Sequence, residues 1–114
     1  MSELDKFKND SKVVAITFDD GYLDNYTKAL PLLQKYNACA TLYLVIDRHK
    51  NDWSIKKNPK HNSGILASEE KLSDQQIQEM LDSGVFELGG HTISHPYLPN
   101  TSIDIKKHEI LQCK

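Results

Sequence analysis

The sequence has no excess of basic residues and no long apolar run. Its 114 residues include 14 basic and 16 acidic side chains, for a net charge of −2, so it has no positive surplus to neutralise phosphates and a nucleic-acid partner is disfavoured. The longest apolar stretch, Ala40–Ile46, is too short to span a bilayer, and the N-terminus lacks the apolar core of a secretory signal. As written, the sequence predicts a soluble chain with no membrane span and no visible export signal, and its cellular location stays open.

Cysteine is also scarce. The two cysteines, Cys39 and Cys113, lie far apart and have neither metal-binding nor redox spacing. Because Cys39 lies inside an apolar run, we expect it to be a buried structural thiol. The overall composition, 39% hydrophobic and 26% charged, is ordinary for one small globular domain and excludes a repeat array or a disordered tail.

Strands and helices alternate in the first half of the chain. Residues 1–12 are polar and are predicted as a lead-in to the domain. Val13–Phe18 and Ala38–Ile46 are apolar runs typical of strands. Between them, apolar residues recur at helical spacing over Asn25–Tyr36, where Pro31 should kink or restart the helix. The pattern predicts a βαβ unit.

The second half continues the alternation. Ser73 and Gln76 form a capping-box pattern that opens a helix, and Gly84 ends it. A strand is predicted over Val85–Leu88 and a helix over Ser102–Lys114. The candidate core contacts of these two helices are Ile77, Met80, Leu81, Ile103, Ile110 and Leu111. This order indicates an α/β fold with a parallel sheet, open or barrel-like, whose ligands gather at the carboxyl ends of the strands.

Two polar clusters follow predicted strands. Asp19 and Asp20 precede Gly21, so a sharp turn can direct the carboxylates differently, one toward a cation and one toward a substrate. Taken alone, the trio more often marks an ordinary turn that caps a helix, because these are the usual turn residues. His91 and His95 are spaced to place both imidazoles on one side of a turn, which suits a shared divalent metal. Alone, they could also be one packed and one solvated histidine.

The two motifs together resemble a known family. ITFDDGY at 16–22 and HTISHP at 91–96 are similar to the first two motifs of the polysaccharide deacetylase family, the NodB-homology fold of carbohydrate esterase family 4. ALPLLQKYNACATLYLV at 29–45 resembles the segment between those motifs, so the resemblance covers about residues 13–98. It is closest to the poly-N-acetylglucosamine and chitooligosaccharide deacetylases. The resemblance implies a distorted (β/α) barrel, present here as a partial barrel of about three parallel strands with helices, over residues 13–114.

The resemblance also implies a reaction and roles for individual residues. Asp19 would be the general base, and Asp20, His91 and His95 would bind one divalent ion, zinc first, with cobalt or nickel as alternatives. The implied reaction is metal-dependent hydrolysis of N-acetyl groups on an amino-sugar polymer or oligomer. In the long polar segment 47–71, Trp53 is a weaker candidate for stacking on a sugar ring, and His49 and His61 are further candidates in the same segment.

The sequence also departs from the family pattern. The family's later motifs, an Arg-Pro-aromatic segment, an Asp-Trp segment and a late Leu-x-x-His that supplies the general acid, have no counterpart in residues 96–114. The chain thus resembles the N-terminal half of such a domain. The alternative function is a catalytically silent fragment that keeps only metal or carbohydrate binding. We further expect self-association, because a half barrel leaves an unpaired strand edge.

Overall fold

The computed structural model describes residues 13–53, 66 and 68–114. Three strands form one parallel sheet in the order β1-β2-β3: β1 is Thr17–Asp19, β2 is Ala40–Leu44 and β3 is Phe86–Gly90. Each new strand adds to the same side of the sheet, as the progression of a (β/α) barrel requires. The predicted partial barrel of three parallel strands is therefore confirmed. The predicted lead-in and His61 lie outside the described residues.

The connection from β1 to β2 is helical, and its register changes near Pro31. A π-helical segment, Asn25–Ala29, runs directly into α1, Leu30–Lys35. Proline has no N–H to donate to the carbonyl four residues earlier, so a change of register at this position is expected. Asn37 then adopts a left-handed φ of 51° and ends the helix. The predicted restart at Pro31 and stop at Asn37 are both observed.

The connection from β2 to β3 contains α2, Asp74–Asp82, which begins as predicted. The Ser73 hydroxyl accepts from the Gln76 amide, and the Gln76 side chain accepts from the Ser73 amide, which completes the capping box. Gly84 adopts a φ of 71° after the last turn. The buried core lies between the helices and the sheet and consists of Leu33, Ala40, Leu42, Leu72, Ile77, Met80 and Phe86.

The last helical part comprises a short 3-10 turn, Leu98–Asn100, and α3, Ile103–Leu111. The expectation that Ile103, Ile110 and Leu111 are core contacts is wrong, because all three are exposed. The buried side chain of α3 is Glu109 instead. Spacing predicted the helix correctly but not its buried face, since this helix is held to the rest of the chain by polar contacts.

Two further expectations need correction. Cys39 is exposed rather than buried, because it precedes β2 and its side chain does not join the core. The predicted strands are also displaced at their ends: β1 begins four residues later than expected, at Thr17, and β3 extends to Gly90. Within the described residues, no helix is long and apolar enough to cross a membrane.

Candidate metal centre

The central strand brings the two polar clusters to one end of the sheet. At the end of β1, the Asp20 amide donates to the Tyr43 carbonyl at 2.9 Å, and at the end of β3, the His91 amide donates to the Leu44 carbonyl at 3.1 Å. Both acceptors belong to β2. Because parallel strands share their carboxyl end, Asp20 and His91 meet although 71 positions separate them (91 − 20).

The side chains of Asp20, His91 and His95 converge. Asp20 Oδ1 lies 3.5 Å from His91 Nε2 and also 3.5 Å from His95 Nε2. The centroids of the two imidazole rings are 5.2 Å apart, and one ligand atom from each of the three residues lies within 4.8 Å of the others. The sequence-predicted ligand residues are thus brought together.

The donor set fits a divalent ion. Asp20 Oδ1 is buried and accepts no hydrogen bond from the described residues, although a buried carboxylate oxygen normally has a partner. A cation between the three ligand atoms would satisfy it. One carboxylate and two imidazoles form a ligand set known from hydrolytic metal sites, in which the remaining coordination positions of the ion are open to water and substrate. The three side chains are partly exposed, Asp20 least at 19%, so solvent can reach the centre.

The backbone at this centre adopts conformations that most residues avoid. The described residues include four non-glycine positions with positive φ, and three of them are Asp20 at 70°, Thr92 at 68° and His95 at 54°. Such a conformation costs about 1–2 kcal/mol for a residue with a Cβ. Strain of this kind concentrates at functional sites, where the surrounding structure holds it in place.

Gly21 makes the turn after Asp20. It has a φ of 78°, and a Cβ at this position would lie 2.5 Å from Leu44 Cδ1. The turn is also bonded to the segment before α2, where the Leu72 amide donates to the Gly21 carbonyl at 2.9 Å. The Asp-Asp-Gly trio is therefore a turn, as its residue types indicate, and this turn directs one carboxylate toward the two histidines.

Asp19, the predicted general base, is the last residue of β1 and is exposed. It lies next to Asp20 in sequence but is not one of the three converging side chains. The geometry thus separates the two neighbouring carboxylates, one grouped with the histidines and the other accessible to solvent.

Two aromatic rings, Tyr22 and Trp53, border the centre, and Lys71 packs against both. We call these three residues the aromatic wall. The Trp53 ring centroid lies 5.3 Å from that of His95 and 6.1 Å from that of Tyr22, and Trp53 Nε1 donates to the Arg48 carbonyl at 2.8 Å. Lys71 Nζ lies 3.0 Å from the Tyr22 ring centroid and 3.6 Å from that of Trp53. Burial lowers the pKa of Lys71 to about 8, although Asp20 and Asp24 favour its charged form. Trp53, the sequence candidate for sugar binding, therefore lies beside the candidate metal centre.

His49, the other described histidine candidate of the long segment, is exposed, and its Nε2 lies 3.0 Å from the Leu72 carbonyl oxygen. It is not one of the three converging ligands.

Sequence reasoning missed three side chains that shape the centre. Arg48 is 4% exposed, donates to the Leu72 carbonyl and pairs with Asp74, which lowers the pKa of Asp74 through that hydrogen bond. Lys71 forms part of the aromatic wall, and Glu109 bonds to the loop between the histidines. Arg48 is the only arginine in the sequence, and this was the one sequence feature that set it apart from the other charged residues. Lys71 and Glu109 belonged to charged segments that resembled ordinary surface.

A parallel sheet in sequential order, with an Asp-His-His group at its carboxyl end, defines an α/β protein with a candidate metal centre. The chain belongs to the polysaccharide deacetylase family, because the sequence profile of that family matches residues 6–114.

Individual relatives agree with this assignment. The peptidoglycan-N-acetylglucosamine deacetylase of Bacillus cereus is 31% identical over 107 residues, covering 93% of this chain and 40% of that protein. The poly-β-1,6-N-acetyl-D-glucosamine N-deacetylase of Escherichia coli K12 is 33% identical over 86 residues, or 75% of this chain and 12% of that protein. The Streptococcus pyogenes deacetylase PplD, solved in complex with acetate, superposes with a TM-score of 0.69 at 29% identity, covering 99% of this chain and 43% of PplD. The chain thus spans less than half the length of these relatives.

Proposed function

We propose that this chain carries the metal-binding part of an N-deacetylase site that hydrolyses N-acetyl groups on an amino-sugar polysaccharide or oligosaccharide. The observation that carries the proposal is the position of Asp20 Oδ1, buried without a hydrogen-bond donor among the described residues and 3.5 Å from both His91 Nε2 and His95 Nε2. These three side chains would hold one divalent ion, zinc first, with cobalt or nickel as alternatives.

When bound, such an ion supplies Lewis acidity toward the amide oxygen and lowers the pKa of a water molecule. The residues of the chain contribute the remaining steps. Asp19, exposed beside the ligand carboxylate, would accept a proton from the attacking water, whose oxygen bonds to the acetyl carbon. The C–N bond then breaks, the amine nitrogen takes up the proton that Asp19 accepted from the water, and acetate leaves.

The substrate class is supported by the relatives and by the aromatic wall. The relatives include deacetylases of peptidoglycan N-acetylglucosamine and of poly-β-1,6-N-acetyl-D-glucosamine, and PplD was solved with acetate, the product that this hydrolysis releases. Trp53 is half-buried and lies next to His95, where an aromatic side chain could contact a sugar ring held at the metal.

A second candidate function is metal or carbohydrate binding without turnover. It is favoured by the length of the match, since the chain spans only 40% of the Bacillus cereus deacetylase and 43% of PplD. The two candidates share the metal centre and differ only in whether acetate is released.

The test is acetate release from N-acetylated chitooligosaccharides with added Zn²⁺, measured for wild type, Asp19→Asn and Asp20→Asn. We expect Asp19→Asn to keep the ion and to lose activity by about 10²–10⁴-fold, since a base is lost and a ligand is not. Asp20→Asn should lose both the ion and the activity. Metal loss in Asp19→Asn would make Asp19 a ligand and contradict its role as base. Stoichiometric metal without any acetate release from wild type would favour the second candidate.

A further inference from the structure

The helix α3 buries a carboxylate and exposes its apolar side chains. Glu109 is 6% exposed, whereas Ile103, Ile105 and Ile110 lie at the surface. This arrangement reverses the usual distribution, because glutamate is almost never fully buried unless it is paired. Burying an ion without compensating hydrogen bonds is costly, so the position of Glu109 requires a local cause.

The cause lies in the loop between the two histidines. Glu109 Oε2 accepts from the Ile93 amide at 2.8 Å and from the Ser94 amide at 2.9 Å, and Oε1 accepts from the Ser94 hydroxyl at 2.6 Å. Burial alone would raise the pKa of Glu109, but these bonds outweigh it and hold the pKa below its ordinary value. Glu109 is thus a carboxylate at neutral pH, and its bonds to the loop are charge-assisted.

The same loop is strained and leaves its amides in need of an acceptor. Thr92 and His95 both have positive φ, so the backbone between them cannot form a regular helix or strand. The Thr92 hydroxyl accepts from the His95 amide at 3.0 Å, and the Ile93 carbonyl accepts from the Asp47 amide at 2.8 Å. Neither contact uses the Ile93 or Ser94 amide, and both of these amides donate to Glu109.

A close backbone contact also holds the end of α3 near this loop. A Cβ at Gly90, the residue before His91, would lie 2.7 Å from the Cys113 carbonyl oxygen. The segment after α3 therefore packs directly on the end of β3. Glu109 and Cys113 together place α3 against the loop between the two histidines and the end of β3.

We infer that Glu109 is a positioning residue that clamps the 92–94 loop so that the imidazoles of His91 and His95 face Asp20. The inference rests on the proposed metal centre and extends it to a carboxylate beyond the ligands. Glu109 acts through the Ile93 and Ser94 amides and the Ser94 hydroxyl. Loss of such outer partners typically lowers metal affinity by about 10–100-fold.

The experiment measures Zn²⁺ affinity by calorimetry and amide hydrogen exchange in the metal-free protein. Glu109→Met keeps the side-chain length but removes both acceptors, and Glu109→Gln keeps one acceptor oxygen. We expect Glu109→Met to weaken Zn²⁺ binding by about 10–100-fold and to speed exchange at Ile93 and Ser94 while core amides stay protected. Glu109→Gln should recover part of both losses.

Glu79→Met is the matched control, because Glu79 is an exposed glutamate on α2 whose partners are the Tyr26 hydroxyl and the Gln75 side-chain amide; it should bind Zn²⁺ like wild type. If Glu109→Met does not fold, Ser94→Ala repeats the test by removing one of the three bonds, with a smaller loss expected. Wild-type affinity and exchange in the folded Glu109 or Ser94 variants would overturn the inference. Absence of Zn²⁺ binding by wild type would instead refute the metal centre, and the exchange rates would still decide whether Glu109 clamps the loop.

Discussion

Replacing Gly21 with alanine should destabilise the fold and weaken the metal centre together. The φ of 78° at Gly21 is left-handed, which costs about 1–2 kcal/mol for alanine. The new Cβ would also lie 2.5 Å from Leu44 Cδ1, so Leu44 must leave its position, at a cost of about 1 kcal/mol for a displaced side-chain rotamer. Together these effects reduce the free energy of unfolding by about 2–3 kcal/mol.

Gly84→Ala is the control for the stability cost of the left-handed φ alone. Gly84 has a φ of 71°, but no heavy atom lies within 4 Å of the position that a Cβ would occupy, so the expected loss is only about 1–2 kcal/mol. Urea denaturation gives both values. Because Gly21 follows Asp20, Gly21→Ala should also weaken Zn²⁺ binding, whereas Gly84→Ala should leave it unchanged. Equal stability losses in the two variants would refute a cost from the Leu44 contact.

Three further predictions concern the aromatic wall and the sheet edge. Trp53→Leu should raise KM for N-acetylated chitooligosaccharides in the acetate assay, and an unchanged KM would remove Trp53 from the substrate site. Burial lowers the pKa of Lys71 to about 8 from its ordinary 10.5, so above pH 8 the unfolded chain binds more protons than the folded one and stability rises with pH. Lys71→Met should flatten that rise between pH 8 and 10 in denaturation experiments, and an unaltered slope would contradict the burial of the ammonium. Because β1 pairs on one side only among the described residues and Val14 is 82% exposed, we expect self-association in sedimentation, which a stable monomer at high concentration would contradict.

Much of the fold was predictable because local signals were strong. The capping box at Ser73 and Gln76, the break at Pro31 and the left-handed stops at Asn37 and Gly84 each depend on chemistry within a few residues. Strand ends were less predictable, since pairing with a neighbour decides where a strand begins. Val13 belongs to an apolar run, yet β1 starts only at Thr17, opposite Thr41 of β2.

In the candidate site, the convergence of three side chains was predictable from their positions after strands. Asp20, His91 and His95 follow strands, and a parallel sheet brings strand ends together. The positions of Lys71 and Glu109 depend on tertiary contacts that leave no local pattern. The isoleucines of α3 suggested that their side of the helix is buried, but Glu109 is buried instead. Three hydrogen bonds from a loop to Glu109 outweigh the usual preference for burying apolar side chains.

The most direct test of the metal centre is the metal content of the purified chain, measured by elemental analysis after incubation with Zn²⁺ and removal of free ions. We expect one ion per wild-type chain and none in His91→Ala or His95→Ala, because each variant removes one of the three converging ligand atoms. His108→Ala, which changes an exposed histidine on α3, should retain the ion. Unchanged metal content in both ligand variants would contradict the proposed site.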